Sequence, residues 1–404
     1  MPKRALCVWM LAGLLLVGCQ PTAPAEVPTP RQVILTPPNA HLPTETTALV
    51  PMVVPPQSQL IRQAQLLDQA HGWALIEQSL RWTDDAGRHW RTVAVPLAAG
   101  QSIAGGFFWD AARGWLLLNG PNDTVKYYAY FTIARTSDGG GHWQLIPLVN
   151  YADCYNCLDL SIGIERMYFS SPAQGWVQIN RTESANSLHA DLFVTADGGA
   201  SWQPLPTTIP TTGAMSFASG SQGWVTGACC VGPPDELWET YDGGHSWQQF
   251  AVKPPHSYQA LGPPVPLGTA SSLFALALPD AQNTYVDTIE FYSIARDQRN
   301  WQRIATLVPA PHSLFYGADM LHLQAVSQDT WFLTTSDRLY QTRDAGASWQ
   351  TVAVAPATAA FVELQFRDAL HGLSLVQRCE NNGPCIDTLM QTSDAGQRWA
   401  ALAP

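Results

Sequence analysis

The octapeptide Thr195-Ala196-Asp197-Gly198-Gly199-Ala200-Ser201-Trp202 has the form T-x-D-x-G-x-x-W and recurs along the chain. Further intact copies end at tryptophans 90, 143, 247, 349 and 399. A degenerate copy, which retains Asp297 but lacks the glycine, ends at Trp301. The closing tryptophans follow one another at intervals of 45 to 59 residues. Repetition at this period indicates stacked units, each of which needs its neighbours to bury its apolar face.

The repeated octapeptide has the composition of a tight turn between two strands. An Asp carboxylate accepts hydrogen bonds from N–H groups of its own turn, and glycine adopts the positive φ that a Cβ disfavours. The closing tryptophan begins the next strand, so Trp202→Ala is expected to cost about 3–5 kcal/mol. Metal binding or acid–base chemistry is the alternative role, but one active site does not need the same residue in every repeat. We assign a structural role to the six aspartates, Asp85, Asp138, Asp197, Asp242, Asp344 and Asp394.

A second phrase precedes each octapeptide and supplies the other half of the repeat. Gly-Trp occurs at residues 72–73, 114–115, 175–176 and 223–224, with the variant Gly-Leu at 372–373. A short apolar stretch lies before each of these pairs. Each unit is therefore predicted to contain four short antiparallel strands, A to D. Seven such units predict an all-β fold, a seven-bladed β-propeller of four-stranded antiparallel blades, over residues 59–404.

These phrases resemble two families of propellers. The octapeptide resembles the Asp-box, or bacterial neuraminidase (BNR), repeat of sialidase-like folds. The pairing of F-x-D/S-x-x-x-G-W with T-x-D-G-G-x-x-W, clearest at residues 169–176 and 195–202, resembles the photosystem II stability/assembly factor family. This resemblance covers most of residues 59–403 and implies a propeller that binds other proteins and has no catalytic activity. We therefore predict a non-catalytic scaffold or assembly factor without a cofactor, which binds a protein or glycan partner.

A sialidase-type glycoside hydrolase is the alternative function. The resemblance to sialidases implies three arginines that hold a substrate carboxylate, together with an Arg-Ile-Pro phrase that this sequence lacks. Arg166 and Arg181 are the few candidates for such a role. Whether three arginines converge on the central depression of the propeller is the observation that separates the two functions.

The amino terminus resembles a bacterial lipoprotein. Lys3 and Arg4 precede an apolar core that ends in Leu-Val-Gly-Cys at residues 16–19. Residues 1–18 are predicted to be a lipoprotein signal peptide, and Cys19 the lipidation site. Residues 19–58 include ten prolines and are predicted to form a semi-rigid tether. We therefore expect an extracytoplasmic lipoprotein that is anchored in the membrane and is a monomer.

The composition excludes several other classes of function. A net charge of −11 disfavours nucleic acid, since phosphate binding needs clustered Lys and Arg. The ten histidines are scattered over different repeats, and none has the spacing of a metal-ligand pair. No metal site is predicted.

The two faces of the predicted propeller differ in length of connection. The A–B turns and the octapeptides share one face, here called the turn face, and they are short. The B–C and D–A connections share the opposite face, here called the loop face. The long D–A connections at residues 147–162, 253–267 and 309–320 place most of the additional sequence on the loop face. Because loops on a rigid scaffold commonly carry function, we expect the partner to bind there.

Cysteines and aromatic residues are concentrated in the loop-face connections. Six cysteines are disulfide candidates, and fifteen connectivities are open: Cys154, Cys157, Cys229, Cys230, Cys379 and Cys385. Cys154 and Cys157 resemble a redox pair, but a structural staple is favoured because the βαβ setting is absent. Seven residues are candidates for partner binding, unless they pack only within their own loops: Tyr151, Tyr155, His256, Tyr258, Tyr285, His312 and Tyr316.

Overall fold

The sequence repeat corresponds to seven antiparallel sheets in a computed structural model of the chain. The structure describes residues 52, 54, 60–123, 128–150, 166–184, 187–209, 211, 213–227, 237–250, 260–267, 270–279, 286–310, 321–356, 359–379 and 385–404. All of them belong to one compact unit, Ala48–Pro404. Within these ranges no helix is long and apolar enough to cross a membrane.

The first four sheets each contain four strands in sequential order. Blade one comprises β1 (Ile61–Leu66), β2 (Gly72–Ile76), β3 (Ser79–Thr83) and β4 (Arg91–Val93). Blade two comprises β5 (Ser102–Phe108), β6 (Gly114–Asp123), β7 (Tyr128–Thr136) and β8 (Gln144–Asn150). Blade three comprises β9 (Arg166–Phe169), β10 (Gly175–Ser184), β11 (Ser187–Thr195) and β12 (Gln203–Pro204). Blade four comprises β13 (Met215–Phe217), β14 (Gly223–Thr226), β15 (Leu237–Thr240) and β16 (Gln248–Phe250).

The remaining three sheets complete the ring. Blade five comprises β17 (Ala260–Leu261), β18 (Val265–Leu267), β19 (Ser271–Pro279), β20 (Val286–Ala295) and β21 (Gln302–Leu307). Blade six comprises β22 (His322–Ala325), β23 (Trp331–Thr334), β24 (Arg338–Thr342) and β25 (Gln350–Val354). Blade seven comprises β26 (Ala359–Phe366), β27 (Gly372–Cys379), β28 (Cys385–Thr392) and β29 (Ala400–Ala401). The prediction of seven antiparallel blades is confirmed.

Blade five departs from the pattern because its first strand is broken in two. Both β17 and β18 pair with β19. Pro263 and Pro264 lie between them, and proline cannot donate the hydrogen bond that would continue the ladder. The A strands of adjacent blades contact one another in several pairs, among them β5 with β9 and β22 with β26. The A strands therefore surround the axis of the ring.

Six of the octapeptides form turns with one shared set of hydrogen bonds. In the turn of blade three, the Thr195 hydroxyl donates to Asp197 at 2.8 Å and accepts from the Gly199 N–H at 2.8 Å. The other bonds come from Ser201, whose N–H and hydroxyl donate to the two carboxylate oxygens of Asp197 at 3.0 and 2.6 Å. Equivalent bonds close the turns at Asp85, Asp138, Asp242, Asp344 and Asp394, with an imidazole as the side-chain donor in blades one and two, a serine hydroxyl in blades four and six and a guanidinium in blade seven.

Hydrogen bonding holds these turn aspartates in the ionised form. The pKa of Asp197 is lowered to about 2, first by the hydroxyl of Ser201 and then by its N–H. The N–H of His89 and then its imidazole lower the pKa of Asp85 to about 2, and the imidazole of His142 is the main cause of the same shift at Asp138. A lowered native pKa stabilises the fold above the unfolded value near 4. This contribution is lost as the pH falls through about 2.

The aromatic residues of the two phrases pack neighbouring blades together. Trp176 of strand β10 is fully buried and stacks on Phe217 of the next blade, with ring centroids 3.6 Å apart and an interplanar angle of 5°. Its Nε1 donates to the Gly243 carbonyl of that blade at 2.9 Å. Phe217 in turn lies over Gly223, where a Cβ would come within 2.2 Å of the ring. Trp247, which closes the octapeptide, meets Phe217 edge-on. One aromatic cluster thus joins strand B of one blade to the A–B and C–D turns of the next.

The fifth octapeptide is replaced by contacts from blade four. Asp297 has a φ of +62°. In the other blades this left-handed conformation belongs to the residue after the turn aspartate. Arg296 therefore occupies the position of the aspartate itself. The prediction that Asp297 is the retained turn aspartate is therefore wrong. Its N–H donates to Gln222 of blade four at 3.0 Å. Trp301 donates from Nε1 to the buried Glu239 of blade four at 2.9 Å, so the neighbouring blade supplies the acceptors that the turn lacks.

Blades seven and one close the ring through side chains. The Leu66 N–H donates to Gln365 at 3.0 Å, and Nη1 of Arg367 donates to the Asp68 carbonyl at 2.7 Å. All four strands of blade seven come from the carboxyl-terminal end. Met52 and Val54, which lie in the segment predicted as tether, are buried in the apolar cluster that blades six and seven share.

Candidate functional site

Many hydrogen-bonding groups in the described part of the turn face are engaged in bonds within and between the turns. Each turn aspartate accepts bonds from its own turn, and the A–B turns are closed in a similar way. Asp110, for example, accepts the N–H groups of Ala112 and Arg113 at 3.0 and 2.7 Å. The Gly139 N–H of the C–D turn donates to the Ala112 carbonyl of the A–B turn at 2.9 Å. The turn face is therefore a network of internal structural bonds.

The predicted partner-binding residues and most of the cysteines named as disulfide candidates lie outside the part of the chain that the structure describes. All seven candidates for partner binding, Tyr151, Tyr155, His256, Tyr258, Tyr285, His312 and Tyr316, lie outside the described residues. The same is true of Cys19, Cys154, Cys157, Cys229 and Cys230. Cys385 is disulfide-bonded, and its backbone pairs with that of Cys379 across the β27–β28 ladder. The pairing of the cysteines remains a prediction.

A cavity of about 470 Å³ lies among the A strands of the ring. Six blades contribute to its lining. The polar and charged residues of the lining are Arg62, Gln63, Arg166, Thr226, His322 and Glu363. The larger apolar residues are Met167, Met215, Leu321, Val362 and Leu375. Several of these residues begin an A strand, and Thr226 ends a B strand. A strands begin and B strands end at the loop face, so the cavity occupies the half of the central channel of the ring that is nearer to the loop face. It is called the axial cavity below.

Three consecutive A strands carry a β-bulge beside the axis. The register of β26, β1 and β5 shifts at Val362, Arg62 and Ala104, respectively. A bulge adds one unpaired residue and redirects the side chain that it carries. The bulges at Arg62 and Val362 place both of these residues in the lining of the cavity.

Arg62 also connects two blades. Its Nη1 donates to the Ile103 carbonyl at 2.6 Å, and its Nη2 donates to the Ala104 carbonyl at 3.0 Å. These carbonyls lie at the bulge of β5, where the ladder is interrupted. A guanidinium has five N–H donors, and Nη1 and Nη2 of Arg62 each use one of them on a carbonyl of the bulge.

Glu363 is the carboxylate among the described residues that line the axial cavity. Burial raises its pKa from an ordinary value of 4.5 to about 7, and the charge of Arg166 opposes that shift. Glu363 is of intermediate exposure because it borders the channel. The ionised and protonated forms of its side chain are therefore both well populated near neutral pH.

The raised pKa of Glu363 predicts how stability depends on pH. The native pKa lies above the unfolded value, so the stabilisation is present below about pH 4.5 and is lost as the pH rises through about 7. The wild type loses this stabilisation between pH 4.5 and pH 8, whereas Glu363→Gln does not. The unfolding free energy of Glu363→Gln minus that of the wild type should therefore increase by about 1–3 kcal/mol from pH 4.5 to pH 8. Urea unfolding at the two pH values measures this gain, with the exposed Glu77→Gln as control. Parallel pH profiles for the wild type and Glu363→Gln would contradict the assignment.

The described part of the cavity does not have the arginine set that the sialidase alternative implies. Arg62 and Arg166 line the cavity, and Arg62 already binds two carbonyls. The side chain of Arg181 is outside the described part of the structure. In the described ranges no three His, Cys, Asp or Glu side chains are grouped so that they could hold a metal ion.

Reasoning from the sequence missed most of the axial cavity. Arg166 was considered only as a sialidase candidate, and Arg62, His322 and Glu363 were not singled out. These residues occupy different positions in their blades, so the repeat gives no signal for them. A charged residue within an apolar A strand, as at Glu363 in the stretch Phe361–Phe366, is the signal that was available.

Comparison with known proteins adds information about the fold. No protein-family model matches the chain, and no curated protein matches it. A solved structure described as YCF48 bound to D1 peptide aligns with a TM-score of 0.54 and 17% identity, over 83% of this chain and 96% of that one. YCF48 from Cyanidioschyzon merolae aligns with a TM-score of 0.54 and 14% identity, over 85% and 97% of the two chains.

The chain shares the fold of YCF48. At these identities the likeness shows the fold alone. An ancestral GH74 enzyme also aligns, with a TM-score of 0.47 and 11% identity over 87% of this chain and 55% of that one.

Proposed function

We propose that this protein is a non-catalytic propeller that binds a protein partner on its loop face, around the mouth of the axial channel. The observation that carries the proposal is the difference between the two faces. Turn-face aspartates are engaged in internal bonds, whereas the half of the channel nearer to the loop face contains charged side chains around a cavity. A rigid ring with one variable face is a common platform for recognition.

The shared fold supports a protein as the partner. One of the aligned YCF48 structures is described as bound to a D1 peptide. That observation belongs to YCF48, and a comparable use of the fold in this chain is part of the proposal. The resemblance of the paired phrases to photosystem II assembly factors agrees with it. The strong negative charge of this chain, −11, favours a partner with a basic surface.

Hydrolysis of a glycoside is the alternative, and the described cavity supports it less well. Most glycosidases use two carboxyl groups that flank the scissile bond. The described lining supplies Glu363 alone. A pKa near 7 would suit a general acid, but the second carboxyl group has no candidate among the lining residues that the structure describes.

A pair of matched variants tests the proposed binding face. We expect alanine at Tyr155, Tyr258 and Tyr316 to reduce capture of the partner from solubilised membranes at least tenfold, because tyrosines are frequent anchors in interfaces. The control set, Arg88→Glu, Gln397→Glu and Arg343→Glu, changes exposed residues of the turn face and should leave capture unchanged. Quantitative mass spectrometry of the captured proteins measures both effects.

The opposite outcome would show that the binding face is wrong. If the turn-face set alone reduced capture, the partner would bind to the turns. If no protein were captured and the purified chain cleaved aryl glycosides, the hydrolase alternative would replace the proposal.

We also propose that Cys19 carries a lipid that anchors the protein in a membrane outside the cytoplasm. The basis is the sequence Leu-Val-Gly-Cys at residues 16–19 after a basic start and an apolar core. More than one acyl chain gives stable anchoring, whereas a single chain does not. Cys19→Ala should move the protein from the membrane fraction to the soluble fraction or leave it unprocessed. Unchanged mass and unchanged partitioning would contradict the anchor.

A further inference from the structure

The segment that contains Met52 and Val54 is held by the propeller, although it precedes the first blade. Met52 and Val54 are 6% and 7% exposed and belong to the apolar cluster that blades six and seven share. Residues two apart lie on the same side of an extended chain, so this pair forms one apolar face. Nη1 of Arg378, on strand β27 of blade seven, donates to the Val54 carbonyl at 3.4 Å. Apolar side chains and a main-chain carbonyl thus both contact the propeller.

The docked segment lies in the junction between blades six and seven. On the side of blade six, the cluster includes Val352 and Ala353 of β25, the outermost strand of that blade. On the side of blade seven, it includes Val376 of β27 and Met390 of β28. The segment is therefore packed between two blades and not against one of them.

Blade seven leaves part of its outer edge without a strand. Its last strand, β29, comprises two residues and pairs with Met390 and Gln391 of β28, whereas β28 begins at Cys385. Arg378, which binds the docked segment, is paired with Ile386 in the loop-face half of this ladder. In the described part of blade seven, the strand that is short at the outer edge and the side chain that holds the segment are thus next to each other.

The order of these contacts along the chain gives the segment a role in the ring. Val54 lies at the junction between blades six and seven, and Ile61 begins the innermost strand of blade one. Residues 55–60 connect the two points and can span about 20 Å. Blade seven stands between these points, and β1 begins at the loop face. The chain therefore crosses blade seven at its loop-face end.

We propose that the segment around Met52 and Val54 is a strap that closes the ring. It docks in the junction between blades six and seven, crosses blade seven and ties the last blade to the first. All four strands of blade seven come from the carboxyl-terminal end, so the strap does the work that strand exchange does in other closed rings. The occupant of the junction is this chain's own amino-terminal segment, and the free part of the predicted tether ends before Met52. The strap is independent of the lipid proposed at Cys19 and of the proposed partner.

Hydrogen exchange of the full chain, measured by mass spectrometry, tests the strap. Met52→Asp with Val54→Asp should release it, because a carboxylate buried without a partner is strongly disfavoured. Amides of blade seven, in residues 359–379 and 385–401, should then exchange at least tenfold faster, whereas blades three and four keep the rates of the wild type. The control, Val33→Asp with Leu35→Asp, adds the same charges at the same spacing in the predicted tether and should exchange like the wild type.

Cleavage of the folded protein releases the strap without a buried charge. A specific protease site is inserted between Gln57 and Ser58, or between Pro43 and Thr44 as the control. Before cleavage both proteins should exchange like the wild type. Cleavage after Gln57 should accelerate exchange in blade seven at least tenfold, because docking loses its covalent link to blade one, and cleavage after Pro43 should change nothing.

Three results would overturn the strap. The first is exchange at the wild-type rate in blade seven after cleavage at Gln57. The second is equal acceleration in blades three, four and seven, which would show a general loss of stability. The third is the same acceleration after cleavage at Pro43.

Discussion

Trp176→Ala should lower the free energy of unfolding by about 3–5 kcal/mol, the range found for large truncations in protein cores. Trp176 is fully buried and stacks on Phe217 across the boundary between blades three and four. The substitution removes this stack and the 2.9 Å bond from Nε1 to the Gly243 carbonyl. It leaves a cavity at the junction, because the strands on either side are fixed by their own ladders. Urea unfolding monitored by circular dichroism measures the loss.

Trp202→Ala is the matched control for this prediction. Trp202 closes the octapeptide of blade three but is only partly buried, and it meets Phe169 edge-on. We now expect about 1–3 kcal/mol for its truncation, since less apolar surface is lost from the core. If Trp202→Ala cost more than Trp176→Ala, the closing tryptophans rather than those of the B strands would hold the ring together.

Gly199→Ala should cost about 2–5 kcal/mol, although it adds a single methyl group. Gly199 has a φ of +80°, where an L-residue is strained by about 1–2 kcal/mol. A Cβ at this position would lie 2.4 Å from Nε1 of Trp115, which belongs to the preceding blade. Relief of this contact must displace a buried tryptophan, and overpacking of that kind costs a further 1–3 kcal/mol or so. The shift in urea midpoint measures the sum.

The adjacent glycine provides the control. Gly198 also has a positive φ, but the equivalent residues in blades one, six and seven are Ala86, Ala345 and Ala395. A Cβ at Gly198 would lie 2.9 Å from the Pro172 carbonyl oxygen, but alanine stands at the equivalent position of three other blades, so Gly198→Ala should cost about 1–2 kcal/mol. Equal losses for the two substitutions would show that contact with the preceding blade does not matter at Gly199.

The repeat made the architecture predictable. Seven closing tryptophans, six of them with Asp and Gly at constant distances, predicted both the number of blades and the position of the C–D turns. The reason is that every blade satisfies the same local requirements, namely a left-handed turn, acceptors for its N–H groups and an aromatic group for the junction. The chain therefore contains six intact copies and one degenerate copy of the same local pattern.

Two local features were beyond the reach of the pattern. The B-strand tryptophans are buried more deeply than the closing tryptophans, as Trp176 and Trp202 show, because they lie in the interior of a sheet and not at its end. In blade five the spacing already sets Asp297 one position after the turn aspartate, four residues before Trp301 instead of five, but it does not give the contacts that hold the turn. Only the contacts with Gln222 and Glu239 of blade four show how that turn is held.

The axial cavity depends on tertiary structure and could not be derived from the repeat. Arg62, Arg166 and Glu363 come from three blades and are separated by more than a hundred residues in sequence. Their convergence depends on closure of the ring and on the bulges that direct Arg62 and Val362 towards the axis. The raised pKa of Glu363 follows from that burial.

The division between a structural turn face and a binding loop face is tested most directly by photo-crosslinking in the cells that produce the protein. A photoreactive residue is placed at Leu97 or Val308, which are exposed in loop-face connections, or at Arg88 or Arg343 in the turns. The proposed function predicts a discrete crosslinked species from the loop-face positions and none from the turns. A discrete species from Arg88 and Arg343, with none from Leu97 and Val308, would contradict it.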